Sequence, residues 1–229
     1  MPAELNVLSA GAVKPGLLRV IDGFRRETGG EVRVAFATAP EIRKRLANGE
    51  TADVLIAPQN IIDELAAAGK SRGDRVTIGR IGVGVMVRAE ALAPQIATVK
   101  EFRQSLLGAE SIVYNQASTG AYVESLFNQL GIARELATRT TRYPDFAGVL
   151  DHIGKGRGNE IGLGASTVII ENVSKGVKFI GPLPMEIQNY TTYAATVVAR
   201  AETNDAARAL VNYLAGSTAK AIFTAAGIE

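Results

Sequence analysis

The chain has 229 residues, 47% hydrophobic and 21% charged, the balance of a soluble globular protein able to bury a core. Its 25 Lys and Arg nearly cancel 23 Asp and Glu, leaving a formal net charge of +2 with no basic run, so a nucleic-acid partner is not expected. Zero Cys excludes disulfides and thiolate chemistry, and a single His, His152, excludes a two-His metal site within one chain; no metal and no cofactor is expected.

In chain order, Leu5–Ser9 reads as a buried strand, and Leu17, Val20, Ile21 and Phe24 fall on one face of a helix that Thr28-Gly29-Gly30 ends. Val32, Val34 and Phe36 alternate as a second strand. Thr38 and Glu41 match the capping-box spacing, with Pro40 inside the first turn of the next helix. Asp53–Ala57 is a third apolar strand and Ile61–Ala68 a third helix, so the opening third has the strand–helix alternation of a parallel sheet covered by helices. A long alternating run, Val76–Arg88, follows; its Gly79, Gly82 and Gly84 read as a bendable hinge.

The alternation then resumes. A helix is expected at about Thr98–Leu107, a strand at Ser111–Asn115, a helix at Thr119–Leu130, and another helix carrying Phe146, Val149, Leu150 and Ile153 on one face. Strands follow at Glu160–Leu163 and Val177–Ile180, then a second long extended run at Thr191–Val198 and one closing helix from Asp205 to Ala225. Two strand–helix sets joined by two long strands predict an α/β protein of two lobes, residues 1–80 plus 201–229 in one and 81–200 in the other. No stretch nears the roughly 20 apolar residues of a membrane span, so membrane insertion is not expected. No leader pattern precedes the first strand, which predicts a cytoplasmic protein as the sequence stands and a periplasmic one if a leader has been removed.

Ligands of open α/β sheets lie beyond the carboxyl ends of the strands, where helix N-termini attract anions. Three small-residue turns fall there: SAGAVKPG, ATAPE and NQASTGAY, with Gly162-Leu163-Gly164-Ala165-Ser166 as a fourth. Each either forms an anion site or merely caps its helix. No G-x-G-x-x-G opens a helix after the first strand, and neither a P-loop nor a G-x-S-x-G elbow is present. His152 lies about 120° from the apolar face of its helix, which reads as solvent-facing and non-catalytic. Arg142 and Tyr143, before Pro144 and Asp145, either line a cleft or form a polar loop and cap, and Arg43 stands where it either reaches an anion or stays on the wet face of its helix.

The turn at Val7–Val13, FRRETGGEVRVAF, ATAPEIRKRLANGETADVLIAP, YNQASTGAYVESLFNQLG, GNEIGLG and the closing LVNYLAGSTAKAIFTAAGI resemble the molybdate-binding type of periplasmic solute-binding proteins, the type II class that serves ABC importers. The resemblance spans essentially the whole chain. It implies two α/β lobes, each a mostly parallel sheet flanked by helices, two crossover hinge strands, a small anion in the cleft that the lobes close, and an ABC importer permease as partner. It places the ligand contacts at Gly11, Ala12, Thr38, Ala39, Pro40, Ser118, Thr119, Gly120, Tyr122, Tyr143, Ala165 and Ser166. Two of these depart from the family pattern: Ala12 stands where molybdate binders offer a serine hydroxyl, and Ala165 where they offer a tyrosine. Fewer donors and a larger cleft favour an organic di- or tricarboxylate over molybdate, tungstate or sulfate. The same family includes an aconitate isomerase, which implies as an alternative an isomerase moving a proton alpha to a carboxylate; Glu41, Tyr122, Tyr143, Asp145 and His152 are then the candidate proton carriers, in no order.

Overall fold

Three strand–helix repeats open the chain: β1 (Leu5–Ala10), α1 (Lys14–Thr28), β2 (Val32–Ala37), α2 (Ala39–Ala47), β3 (Val54–Pro58) and α3 (Gln59–Ala67). The computed structural model describes residues 4–199 and 205–229, the side chains of 72–74 excepted. After the long strand β4 (Ser71–Arg88) come α4 (Val99–Gly108), β5 (Ser111–Asn115), α5 (Ser118–Gln129), α6 (Ala133–Leu136), β6 (Thr140–Tyr143) and α7 (Phe146–Lys155). The chain closes with β7 (Glu160–Ala165), α8 (Ser166–Glu171), β8 (Val177–Pro182), β9 (Tyr190–Val198), α9 (Asp205–Ala215) and α10 (Ser217–Ala225).

The chain divides into two compact units, Met1–Ile81 with Thr191–Glu229, and Gly82–Tyr190. In the first, strand order is β2-β1-β3-β9-β4. β1 runs parallel to β2, from Leu5↔Val32 to Ala10↔Ala37, and parallel to β3 on its other side. β9 lies antiparallel to β3, from Val54↔Val197 to Pro58↔Tyr193. That pairing draws Thr191–Val198 into the first unit, whereas the sequence reading put residues up to 200 in the second lobe. All of β3 is buried, as the uninterrupted apolar run of a central strand requires. On α1, two glycines provide flat contact surfaces: a Cβ at Gly16 would stand 2.7 Å from the Phe223 ring, and one at Gly23 2.7 Å from the Tyr213 hydroxyl. The closing helix expected from Asp205 to Ala225 is two helices, broken at Gly216, whose ψ of 158 leaves the helical region.

The second unit orders its strands β4-β7-β5-β6, with β8 paired to β4. β5 is parallel to both β6 and β7, and β4 is antiparallel to β7 and β8. Neighbouring β5 residues face opposite layers, as strand geometry demands. Tyr114 packs with Phe102, Leu106, Val123 and Leu126, while Val113 packs with Met86, Val149, Ile153 and Ile169.

Two glycines of β4 stand in close contact with their neighbours. A Cβ at Gly84 would stand 2.6 Å from the Phe179 ring and 3.2 Å from the Ser166 backbone. At Gly79, with φ +147, a Cβ would stand 2.7 Å from the Glu229 backbone oxygen. Close packing accounts for both.

Candidate functional site

In the first unit, three parallel strands deliver their chain ends to one sheet edge, and each leads into a helix. Because Ala10 stands in register with Ala37, the turns after β1 and β2 leave that edge side by side. Gly11–Val13 forms a single 3-10 turn before α1, and no side chain caps either. Gly11 and Ala12 are half-buried, and a Cβ at Gly11 would meet nothing within 4 Å. Ser9 is fully buried, its hydroxyl 3.3 Å from the Ala10 carbonyl.

Thr38 occupies the N-cap position of α2, with Ala39 buried and Pro40 exposed behind it. The capping box expected there is not formed. The Thr38 side chain makes no cap bond, and the Glu41 carboxylate turns along the helix to Arg45 at 3.3 Å and Lys44 at 3.9 Å. A true box forms instead at Thr98 and Glu101. The Thr38 hydroxyl hydrogen-bonds to no other described residue.

One residue of this edge went unnoticed in the sequence. Lys14 opens α1 with no acid in the first turn, is exposed, and holds its ammonium 5.6 Å from the centroid of the Phe36 ring. Among the described residues no carboxylate pairs with it. A cation at a helix N-terminus opposes the helix dipole by about 0.3–1 kcal/mol, which is the signal that a sequence reading could have used. Arg43, by contrast, is committed to Glu64 through two hydrogen bonds of 3.0 and 2.8 Å, which raises the guanidinium pKa and lowers that of the carboxylate.

In the second unit β5 lies between β7 and β6, and Asn115 at its end stands in register with Tyr143. Ala117 takes the N-cap position of α5, so no side chain caps that helix. The hydroxyls of Ser118 and Thr119 hydrogen-bond to no other described residue. Gly120 is demanded by contact: a Cβ there would stand 2.0 Å from the Asn115 carbonyl oxygen, so only glycine lets the helix begin folded onto the strand end. After β7, Ala165 and Ser166 are half-buried, and the Ser166 hydroxyl is also without a described partner.

Both expected tyrosines have partners of their own. Tyr122 donates its hydroxyl to the Ile187 carbonyl at 2.5 Å, and burial raises its pKa. Tyr143 sits beneath α7, where Gly148 leaves room for its ring, and its hydroxyl lies 3.1 Å from His152 Nδ1. His152 is therefore half-buried, edge-on to Tyr143 at 5.9 Å between centroids, and not solvent-facing as its helical angle suggested. Tyr143 reaches along the helix to cover it. Asp145 caps α7 by accepting from the Gly148 amide at 3.1 Å, the cap role that the sequence left open. Among the described residues no three His, Asp or Glu side chains gather to hold a metal, and no helix is long and apolar enough to cross a membrane.

Residues 5–229 match the family described as bacterial extracellular solute-binding protein. The chain belongs to that family. Among curated relatives it is 28% identical to an aconitate isomerase of Pseudomonas sp over 98% of this chain and 87% of that protein. It is 23% identical to the molybdate-binding protein ModA of Escherichia coli (strain K12), over 96% and 86% respectively. Among solved structures, the periplasmic molybdate-binding protein of Azotobacter vinelandii aligns with a TM-score of 0.81 at 19% identity, covering 98% of both chains. That likeness carries the fold: two-lobed, mixed α/β, of the molybdate-binding-protein type. At the strand ends four hydroxyls make no bond to another described residue, and the helices α1, α2, α3, α5 and α8 begin without a side-chain cap.

Proposed function

We propose that this protein binds a small organic anion, a di- or tricarboxylate rather than molybdate, with the donors of its strand-end turns, as the solute receptor of an ABC importer. One observation carries the reading: the hydroxyls of Thr38, Ser118, Thr119 and Ser166 lie at helix starts yet neither cap a helix nor bond to another described residue. Donors left over at the carboxyl ends of parallel strands are the groups an anion takes up. Ala12 and Ala165 supply space where molybdate-binding relatives place hydroxyls. Two missing charge-assisted hydrogen bonds, at about 1.5–3 kcal/mol each, would weaken a tetrahedral oxyanion by about 10²–10⁴-fold. Lys14 adds a formal charge suited to a ligand with several carboxylates. Membership in an extracellular solute-binding family supports a periplasmic location and a permease as partner.

Calorimetry of the protein with molybdate, tungstate, sulfate, glutarate, citrate and tricarballylate tests the reading. A carboxylate is expected to bind at least about 100-fold tighter than molybdate. No heat with any member, or molybdate as the tightest, refutes it.

The 28% identity to an aconitate isomerase across nearly the whole chain favours a second reading, proton transfer alpha to a carboxylate in the same site. Proton NMR of cis- and trans-aconitate with the protein in D₂O decides it. Neither deuterium incorporation nor interconversion would leave binding alone.

A further inference from the structure

We infer that the second unit carries a further binding site, a cavity at the sheet edge opposite its strand-end turns, which takes a small zwitterion of the amino-acid type with an apolar side chain. The ligand's carboxylate goes to Arg88 and Arg157 and its ammonium to Glu110. The inference does not depend on the anion reading above.

A cavity of about 620 Å³ opens between the end of β4 and the starts of β5 and β7, wholly within the second unit. That size falls in the range of about 300–1,000 Å³ usual for small-molecule sites. β5 and β7 run parallel and away from it, so Asn115 and Ala165 at their far ends lie a strand length off, about 15 Å. Backbone carbonyls hold the walls. Ser105 donates its hydroxyl to the Gln95 carbonyl at 2.8 Å, Asn159 its carboxamide to the Gly108 carbonyl at 3.1 Å, and Lys178 its ammonium to the Ala91 carbonyl at 2.5 Å. The Glu110 amide donates to the Asn159 carbonyl at 2.8 Å, tying the start of β5 to the approach to β7. The cavity is formed by the fold itself.

The charged groups on these walls, by contrast, are left over. Arg157 and Glu110 both line the cavity, and neither side chain pairs with another described residue. They stay unpaired although close in the fold: the Glu110 carboxylate lies against Gly158, where a Cβ would stand 2.0 Å from its Oε2, next to Arg157 in the chain. Only glycine at 158 leaves room for that carboxylate. Arg88 holds Glu90 by one contact, Nη1 to Oε2 at 3.3 Å, with the Glu90 side chain 89% exposed, and an exposed pair of that kind is worth little. Arg88 Nε is buried with no hydrogen-bond partner among the described residues, so the fold does not use that donor. The two guanidiniums and two carboxylates of the lining carry no net charge. A simple anion meets Glu90 and Glu110 there and a simple cation meets Arg88 and Arg157, whereas a molecule with one charge of each sign is matched at both ends. The remaining wall, Ala91-Leu92-Ala93-Pro94, is apolar, and its Leu92 is 92% exposed. An apolar side chain on the ligand covers it and removes that surface from water.

Titration with leucine and with leucyl-leucine, followed in ¹H–¹⁵N spectra of the unmodified protein, is expected to move the Gly158 and Asn159 amides to saturation and leave those of Ser118 and Thr119 still. N-acetyl-leucine and leucinamide each keep one of the two charges and are expected to bind at least about tenfold more weakly than leucine. Arg157→Gln and Glu110→Gln are each expected to lose about tenfold in affinity, with melting temperatures within about 2 °C of the unmodified protein because neither side chain holds another part of the fold. Arg157→Lys, which keeps the charge, is expected to recover part of the loss. The inference fails if neither ligand moves Gly158 and Asn159, if the shifts fall on Ser118 and Thr119 instead, or if N-acetyl-leucine or leucinamide binds as well as leucine. It fails equally if both glutamine variants bind within about threefold of the unmodified protein. None of these results touches the anion reading, which its own calorimetric panel decides.

Discussion

Replacing Gly120 with Ala adds one methyl group whose position follows from the backbone: 2.0 Å from the Asn115 carbonyl oxygen and 3.1 Å from the Tyr114 ring. Non-bonded heavy atoms settle at about 3.5–4.0 Å, so either the first turn of α5 or the end of β5 has to move by more than about 1 Å. Alanine brings a helix-propensity gain of about 1 kcal/mol, while overpacking costs about 1–3 kcal/mol and more where the obstacle is a backbone carbonyl rather than a side chain. The net loss is set at about 2 kcal/mol, which for a chain of this size lowers the melting temperature by about 4–8 °C. Moving the turn also moves the Ser118 and Thr119 hydroxyls, and a displacement of this size costs about 10–100-fold in affinity for a carboxylate. Gly108, which ends α4 and has nothing within 4 Å of its Cβ position, supplies the control. Gly108→Ala is expected to be neutral or stabilising by up to about 1 kcal/mol. Calorimetric melting and ligand titration of both variants test the reasoning. It is refuted if Gly120→Ala melts within about 1 °C of the unmodified protein with its affinity intact, or if Gly108→Ala falls as far.

Ala12→Ser restores a hydroxyl to the turn after β1 and is expected to raise molybdate affinity by about tenfold with the melting temperature unchanged; no gain in titration would remove that turn from the site. Lys14→Met removes a cation from the start of α1, so the ligand-free protein should gain up to about 1 kcal/mol in denaturant unfolding while tricarboxylate binding weakens by about tenfold; a gain in both would show that Lys14 serves no ligand. Tyr143→Phe deletes a hydroxyl held by His152, so calorimetry should show affinity within about threefold and chemical unfolding a loss of about 1 kcal/mol; a large affinity loss would return Tyr143 to the ligand set. Tyr114 has its pKa pushed up to about 12, chiefly by burial and then by the charge of Glu124, so its contribution is whole below about pH 10 and is lost as pH rises toward 12. Unfolding free energies measured from pH 9 to 12 should fall by up to about 2 kcal/mol on this account and less steeply in Tyr114→Phe; equal slopes would place the alkaline limb elsewhere.

Where apolar periodicity decides structure, the sequence was legible. β1, β3 and β5 are short apolar runs buried on both faces, and α1 and α7 carry clean apolar stripes. β6 was not legible, because Thr140-Thr141-Arg142-Tyr143 has no apolar alternation and forms a strand only by pairing beside β5. α8 was hidden by its composition: Thr167, Val168, Ile169 and Ile170 favour strands in isolation, and tertiary contact overrides them. Thr38 and Thr98 carry the same motif and differ in outcome because Arg45 and Lys44 compete for Glu41, whereas Glu101 returns to its own cap. At the site, small-residue turns showed from spacing alone. The commitment of the Tyr122 hydroxyl to the Ile187 carbonyl depends on a residue far away in the chain, and spacing cannot report it.

Among the strand ends of the second unit, the charge already present narrows where an anion can sit. β5, β6 and β7 each lead into a helix, and all three run parallel. α7 has its N-terminus occupied by its own carboxylate, Asp145, which accepts from the Gly148 amide and takes up the favourable end of the helix dipole. A second negative group there would meet repulsion rather than free donors. α8 is only six residues long, too short for much of a dipole, and offers chiefly the Ser166 hydroxyl. α5 remains: twelve residues, no capping side chain, no acid in its first turn and two unbonded hydroxyls. A helix N-terminus left uncapped costs about 1 kcal/mol relative to a capped one. Caps form at α4 and α7; of the uncapped α5, α6 and α8, only α5 is longer than six residues and starts with two unbonded hydroxyls, which makes it the helix start of the unit best suited to a negatively charged guest.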